Sequence, residues 1–268
     1  MGEVVVIGDV HVGSNYAVFP EKFVNPESGN VIEANEWQLK LLDYWKRFAE
    51  EIKPEIIVLL GDLVEGPQSR EKFGTLTLQN VQHQAMAFLE LMKYWTWKKI
   101  YVVRGTQYHV ETTGVHVEEW IAQQLNAEPA SKWEKTRKSV YDLGLEYNGV
   151  AMHFAHHLSS SFVPHYRFTP MVREAWLSKM YDRYYGHYDI IVRGHVHYCN
   201  IAQISDDFAV MTIPCWQLPT PYQKKRSSFS YPDLGLAAID VYDPGKYLIE
   251  LRIIHEIKPH RVKAEVEK

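Results

Sequence analysis

The 268-residue sequence has little cysteine, no surplus of either charge and no long apolar run. Two cysteines, Cys199 and Cys215, cannot staple a chain of this size, which excludes a disulfide framework and makes a reducing cytoplasm the default setting. If residues 200–206 and 208–214 form a hairpin turning at Asp206-Asp207, the two thiols lie almost opposite each other. A bridge is then geometrically open, and two small buried thiols are the simpler reading. No apolar run approaches the roughly 18 residues of a membrane span, so no membrane role is expected. Met1-Gly2-Glu3-Val4-Val5-Val6-Ile7-Gly8-Asp9 has no basic n-region and no long apolar stretch, so it reads as a buried strand and not as a secretion signal. Lysine and arginine total 29 against 33 acidic residues, a net charge of −4, so no general basic coat recruits nucleic acid. A polyanionic substrate must be held by a local patch or by bound cations. Repeats, low-complexity stretches and a Pro/Gly/Ser-rich linker are also missing. Hydrophobic residues at 46% and charged residues at 23% exclude a disordered, collagen-like or coiled-coil chain.

What is present is an alternation of element types. Glu3–Asp9 reads as a strand. Trp37, Leu41, Tyr44, Trp45, Phe48 and Ile52 fall at helical spacing before Pro54. Ile56–Leu60, a helix over about Leu78–Tyr94 and the strand Ile100–Val103 continue the series, the signature of parallel pairing with right-handed crossovers. Asn148-Gly149 between Val140–Tyr147 and Val150–Ala155 is a two-residue hairpin signal. A helix over about Pro170–Tyr185 leads to a strand at Ile190–Val192. Runs at Ile201–Ser205, Phe208–Ile213, Leu236–Tyr242 and Tyr247–Ile254 complete a half expected to be mostly antiparallel. The fold class read from this order is α/β, with two packed mixed β-sheets flanked by helices, in one domain spanning residues 1–268. Residues 256–268, rich in Lys and Glu, read as a solvated tail or docking segment. The oligomeric state is not legible; residues 247–268 are the segment read for any dimer contact.

Thirteen histidines ask for an explanation, and the strand ends supply one. Chemistry in open α/β sheets sits outside the carboxyl ends of the strands. Those ends read Gly8-Asp9-Val10-His11, Gly61-Asp62-Leu63-Val64-Glu65-Gly66, Arg104-Gly105-Thr106-Gln107-Tyr108-His109, His156-His157 and Arg193-Gly194-His195-Val196-His197. Residues i and i+2 on an extended segment project to one side, so a carboxylate and an imidazole can converge on one ion. A lone Gly-Asp is ordinarily turn chemistry, and a lone His an ordinary surface or core residue. Five strand ends presenting the same donor types point instead to a metal site.

These residues resemble the calcineurin-like metallophosphoesterase superfamily, whose blocks run Asp-x-His, Gly-Asp, Gly-Asn-His, His and Gly-His-x-His. The resemblance spans Gly8 to His197 and is closest to phage-type and archaeal-type members and DNA-repair nucleases. It implies a four-layer sandwich and two divalent ions: Asp9, His11 and His197 on the first, His156 and His195 on the second, Asp62 bridging both. His157 is an alternative to His156, and His153 a weaker one. The mixed N/O donors suit Mn²⁺ first, with Fe, Zn²⁺ or Ni²⁺ as alternatives. One block departs from the pattern, because Thr106 stands where the family has its asparagine ligand and the histidine comes two residues late, at His109. Three outcomes are open: Thr106 or Gln107 supplies an oxygen, His109 ligates, or the second ion binds weakly. The favoured role for His109 is to meet the leaving group. The implied activity is a phosphodiesterase or nuclease working through a metal-bridging hydroxide. The alternatives are a phosphomonoesterase acting on a phosphoprotein or metabolite, and a scaffold without turnover.

Nucleic acid or a nucleotide is the substrate class read from Phe162-Val163-Pro164-His165-Tyr166-Arg167-Phe168 and from Lys224-Lys225-Arg226. Aromatics beside cations are how bases and phosphates are gripped. Thr106, Gln107 and Arg167 are the candidate substrate contacts. The bland alternatives are core packing and a solvated loop.

Overall fold

The computed structural model describes residues 2–67, 74–112, 115–129, 136–159, 163–226 and 231–257. Strand β1 (Gly2–Ile7) is followed by a small ribbon of β2 (Lys22–Val24) and β3 (Val31–Glu33). Helix α1 (Glu36–Glu51) begins at Asn35, whose side chain accepts from the Trp37 and Gln38 amides while Gln38 reaches back to the Asn35 amide. That reciprocal cap satisfies amides that otherwise have no partner. Next come β4 (Ile56–Leu60), α2 (Val81–Met92), β5 (Lys99–Val103) and the short helix α3 (Gln107–Val110). A two-residue pair, β6 (Glu111–Thr112) and β7 (Val115–His116), precedes α4 (Val117–Gln124) and β8 (Ser139–Val140). The second half holds β9 (Asp142–Tyr147), β10 (Val150–Ala155), α5 (Phe168–Met180), α6 (Asp182–Tyr185) and β11 (Ile190–Arg193). It ends with β12 (Asn200–Ser205), β13 (Phe208–Thr212), α7 (Pro221–Arg226), β14 (Gly235–Asp243) and β15 (Lys246–Ile253).

Two mixed sheets result. One runs β15-β14-β1-β4-β5-β8 and the other β12-β13-β11-β10-β9. In the first, β1, β4, β5 and β8 are parallel, while β14 and β15 add an antiparallel edge. In the second, β10, β11 and β13 are parallel, flanked by antiparallel β9 and β12. The expected antiparallel second half is thus corrected at its centre. The helical stretch α5–α6 carries the chain from β10 across to β11, and such a crossover imposes parallel pairing. The last hairpin joins the first sheet and not the second.

Period-two alternation sorts the core into layers. Val4 and Val6 of β1, with Ile56, Val58 and Leu60 of β4, meet Met152, Phe154, Ile190 and Val192 of the opposite sheet. Val5, Ile7, Ile57 and Leu59 face the other way, onto Leu41, Trp45, Phe88 and Ile121 of the helices. On the far side of the second sheet, Ile191, Phe208 and Val210 pack on Met171 and Ala175 of α5. This is the α/β sandwich of mixed sheets flanked by helices read from the element order. The Asn148-Gly149 turn has φ of 48° and 77°, the doubly positive geometry that a two-residue hairpin requires.

The predicted helix over 170–185 breaks at Tyr181, where φ −106° and ψ 10° separate α5 from α6. Cys199 and Cys215 are both free thiols, and Cys215 is buried. No helix among the described residues is long and apolar enough to cross a membrane. Residues 258–268 of the predicted tail, and Phe162 of the aromatic run, lie outside the described residues.

Candidate metal centre

The loops that follow β1 and β4 run side by side. The Asp9 amide donates to Gly61 O (3.0 Å), the His11 amide to Asp62 O (2.9 Å) and the Val12 amide to Leu63 O (3.1 Å). To aim their side chains inward, Asp9, His11, Asp62, His195 and His197 all take positive φ, between 48° and 72°. Left-handed backbone at five non-glycine residues stores strain, and its concentration at one site marks function. Glycine makes the convergence of strand ends feasible. A Cβ on Gly105 would lie 2.1 Å from Asp62 Oδ1, and one on Gly61 would lie 2.6 Å from Gly105 Cα.

Six expected ligands form two groups of three, Asp9–His11–His197 and Asp62–His156–His195, each with donor atoms close enough to share one ion. In the first group His197 Nε2 lies 3.4 Å from Asp9 Oδ1, and His11 Nε2 lies 3.9 Å from it. The His11 and His197 Nε2 atoms are only 3.1 Å apart. Two imidazole lone pairs so close call for a proton or a cation between them. In the second group His156 Nε2 lies 3.0 Å from Asp62 Oδ2, and its Nδ1 donates to Leu60 O (2.7 Å), which leaves Nε2 as the coordinating atom. Asp9 Oδ1 also approaches His156 Nε2, at 3.8 Å, so this carboxylate reaches members of both groups. Asp9 Oδ1 and His156 Nε2 are buried, and the neighbours of each are the other carboxylates and imidazoles of the two groups. Ionisable groups buried against one another are costly without a balancing charge, which an ion would supply.

Electrostatics agree with a cation-seeking site. Burial alone would raise the Asp9 carboxyl, but His156 and His197 beside it hold it at about 2. Burial also resists charge on His156, yet Asp62 and Asp9 lift it to about 10. The carboxylates thus demand positive charge, as a proton or as a metal that displaces it. Asp62 sits well below the ordinary carboxylate range, its burial outweighed by His156 and His109. Burial lowers His195 to about 4, leaving the neutral, ligating form.

The divergent block packs against the second group. Thr106 donates from its amide to Asp62 Oδ1 (2.7 Å), and its hydroxyl lies 3.0 Å from the same oxygen. Gln107 is exposed at the start of α3. The His109 ring stands edge-on to His11 with centroids 4.7 Å apart. Its Nδ1 lies 2.6 Å from Glu65 O and its Nε2 4.0 Å from Asp62 Oδ2. His11, Glu65 and His109 form a third set of donors close enough to hold an ion. His157 is exposed and lies against the His195 ring at 4.9 Å, whereas His153 pairs with Arg193 (3.1 Å), outside these groups. Arg167 lies over the Tyr198 ring at 4.4 Å, beside the ligand loop. Gln223 of α7 lies 3.3 Å from His197 Nδ1, which brings Lys224 and Lys225 to the rim.

Two carboxylates have roles that motif spacing does not reveal. Glu65 takes the His11 Nδ1 proton side at 2.9 Å and is itself held by Gln217 Nε2 at 2.7 Å. A carboxylate behind a ligating imidazole orients it and raises its basicity. Glu118 of α4 is fully buried and accepts from the Leu63 amide (3.1 Å) and the Gly105 amide (2.6 Å), tying together the loops on either side of Asp62. Burial and nearby Asp62 push it up to about 7.

A family model described as calcineurin-like phosphoesterase matches residues 2–106. No curated protein matches the chain. Among solved structures, Entamoeba histolytica Vps29 complexed with zinc is similar at 12% identity, covering 94% of this chain and 98% of that one, with a TM-score of 0.45. The E. coli phosphoesterase YfcE is similar at 11% identity, covering 89% and 88%, with a TM-score of 0.42. A dimetal phosphatase from Danio rerio is similar at 10% identity, covering 92% and 98%, with a TM-score of 0.43. The matched residues 2–106 carry Asp9, His11 and Asp62, and leave His156, His195 and His197 outside the match.

Proposed function

We propose that this protein is a metal-dependent phosphoesterase with two ion sites, and that it cleaves phosphodiesters of nucleic acid or nucleotides. The observation that carries the hydrolase reading is the pair of adjacent carboxylate–imidazole groups, in which Asp9 Oδ1 and His156 Nε2 are fully buried. Asp9, His11 and His197 would hold one ion, and Asp62, His156 and His195 the other, with Asp62 also the carboxylate proposed to bridge the two. Mn²⁺ suits this mix of nitrogen and oxygen donors. Divalent ions so held supply Lewis acidity to phosphoryl oxygens and lower the pKa of water.

The chain's own groups do the rest. Asp9 and Asp62 hold the negative charge that fixes the ions, and Asp9 Oδ1 joins the two groups by reaching His197 and His156. His109 donates from Nδ1 to Glu65 O, so Nε2 is the atom that takes up a proton and passes it to the departing alkoxide. Two features favour a nucleic acid or nucleotide diester. Lys224 and Lys225 stand next to Gln223, which touches His197, and Tyr166 is exposed beside Arg167. Cations and stackable rings together suit a phosphate chain bearing bases.

The test is Mn²⁺-dependent hydrolysis of a bis-aryl phosphodiester against the mono-aryl ester, followed by single-stranded and duplex oligonucleotides. Diester preference with oligonucleotide cleavage is expected. Monoester preference would move the substrate to a phosphoprotein or metabolite, and no turnover with metal bound would make the chain a scaffold.

A further inference from the structure

Away from the metal centre, α5 and α6 form an outward face that is apolar where a solvated helix would be polar. Along α5 the residues turned to the core are Met171 and Ala175, packed on Leu158, Ile191, Phe208 and Val210. The opposite side carries Phe168, Val172, Trp176 and Met180 at a spacing of four, continued by Tyr184 on α6. Trp176 is 68% exposed, Met180 67% and Tyr184 77%.

The charged side chains of α5 are engaged by the body of the protein. Glu174 pairs with Arg193 at 2.7 Å, and Arg173 donates to Ser159 Oγ at 2.7 Å. Lys179 lies 4.9 Å from the centre of the Phe208 ring and 3.3 Å from His187. Here rings and a thioether form the outward row, with Arg173 and Lys179 of α5 and Arg183 of α6 exposed beside it. That composition, rich in Trp, Tyr, Phe and Met, is that of a protein–protein interface core.

We infer that this face is the contact with a second copy of the same chain, packed across a twofold axis near Trp176. The spacing is self-complementary. Antiparallel pairing of the row about Trp176 sets Trp176 against its own copy and Val172 against Met180. An isologous interface requires that reciprocity. The area is also sufficient. With aromatic side chains of about 150–250 Å² each, Phe168, Val172, Trp176, Met180, Tyr184 and Tyr185 leave on the order of 800 Å² in water, the share that one partner gives to a stable interface. Monomeric soluble proteins rarely leave so large an apolar patch uncovered. The chain's own last eleven residues, 258–268, are dominated by Lys, Arg and Glu and cannot supply an apolar cover. On this inference the contact lies on α5–α6, and residues 247–268, the segment read from the sequence for a dimer contact, are the alternative. Through Glu174–Arg193 it also braces the strand that leads to His195.

The experiment is sedimentation velocity and light scattering on the full chain from about 1 to about 100 µM, spanning ordinary dimer affinities. A dimer is expected, and Trp176→Glu with Met180→Glu should return it to monomer mass with an unchanged circular dichroism spectrum. Trp176→Cys should form a disulfide-linked dimer with itself under mild oxidation, while Tyr242→Cys should not. A wild-type chain that stays monomeric at the top concentration, or a dimer indifferent to the double substitution, overturns the inference. Retention of a monomeric chain on oligo-dT or on phosphatidylserine vesicles, lost in the double variant, overturns it in favour of that ligand.

Discussion

The two ligand groups are built from the same residue types but are held in different ways. In the first, side chains stand behind the ligands: Glu65 on His11, Gln217 on Glu65 and Gln223 on His197. In the second, main-chain groups dominate. His156 is fixed by Leu60 O, and Asp62 by the Thr106 amide and hydroxyl. The His195 amide donates to Asp9 Oδ2 at 2.8 Å, and its ring leans on exposed His157. A site held by side chains can be loosened one partner at a time. A site held by backbone stands or falls with its loops, and Glu118 is the side chain that ties those loops.

Four substitutions break or sharpen that contrast. Asp62→Asn should have the largest effect, dropping diester hydrolysis to the uncatalysed level while the circular dichroism spectrum stays native. Near-normal turnover at saturating Mn²⁺ would remove Asp62 from the site. Glu65→Gln should weaken Mn²⁺ in the first group by about 10–100-fold, the usual cost of losing the partner behind a ligating His. Calorimetric titration reads that change, and an equal loss in both groups would contradict the division.

Glu118→Gln should act through the fold. Its amide NH₂ must face one of two buried N–H donors, which costs about 1–3 kcal/mol. A lowered urea midpoint with an unchanged m-value is the expected signature. Stability within experimental error of wild type would show that the two loops do not need this clamp. Thr106→Asn should have the smallest effect, and in the opposite direction. Supplying the asparagine of the family pattern should tighten the second ion by up to about 10-fold, read as a lower Mn²⁺ activation constant. An unchanged constant would mean that His109 or another group already fills that role.

Much of this was legible in the sequence. Ile56–Leu60 and Val150–Ala155 agree end for end with their strands, because a β-branched run stopped by Gly61 marks the first and the Asn148-Gly149 turn starts the second. The Asp-x-His and Gly-His-x-His spacings placed Asp9, His11, His195 and His197 at one edge, but left-handed backbone beyond the strand ends, and not extended geometry, aims them. Other features depend on tertiary contact. Glu118 lies thirteen residues beyond Gly105 on a helix, and its partners are backbone amides that no spacing rule encodes. Glu65 stands within a legible run, yet only the fold sets its carboxylate on His11. The parallel centre of the second sheet follows from a crossover whose length is visible but whose destination strand is not. The left-handed φ of five candidate ligands is equally silent in the sequence, since Asp and His do not announce it as Gly does.

The most direct test of a centre made of two inequivalent ion sites is Mn²⁺ stoichiometry, measured by calorimetry and elemental analysis on wild type, His197→Ala and His156→Ala. Two ions per wild-type chain are expected. His197→Ala should lose the ion held by Asp9 and His11, and His156→Ala the one held by Asp62 and His195, each variant keeping a single ion. One ion in the wild-type chain, or both lost together in either variant, would contradict it.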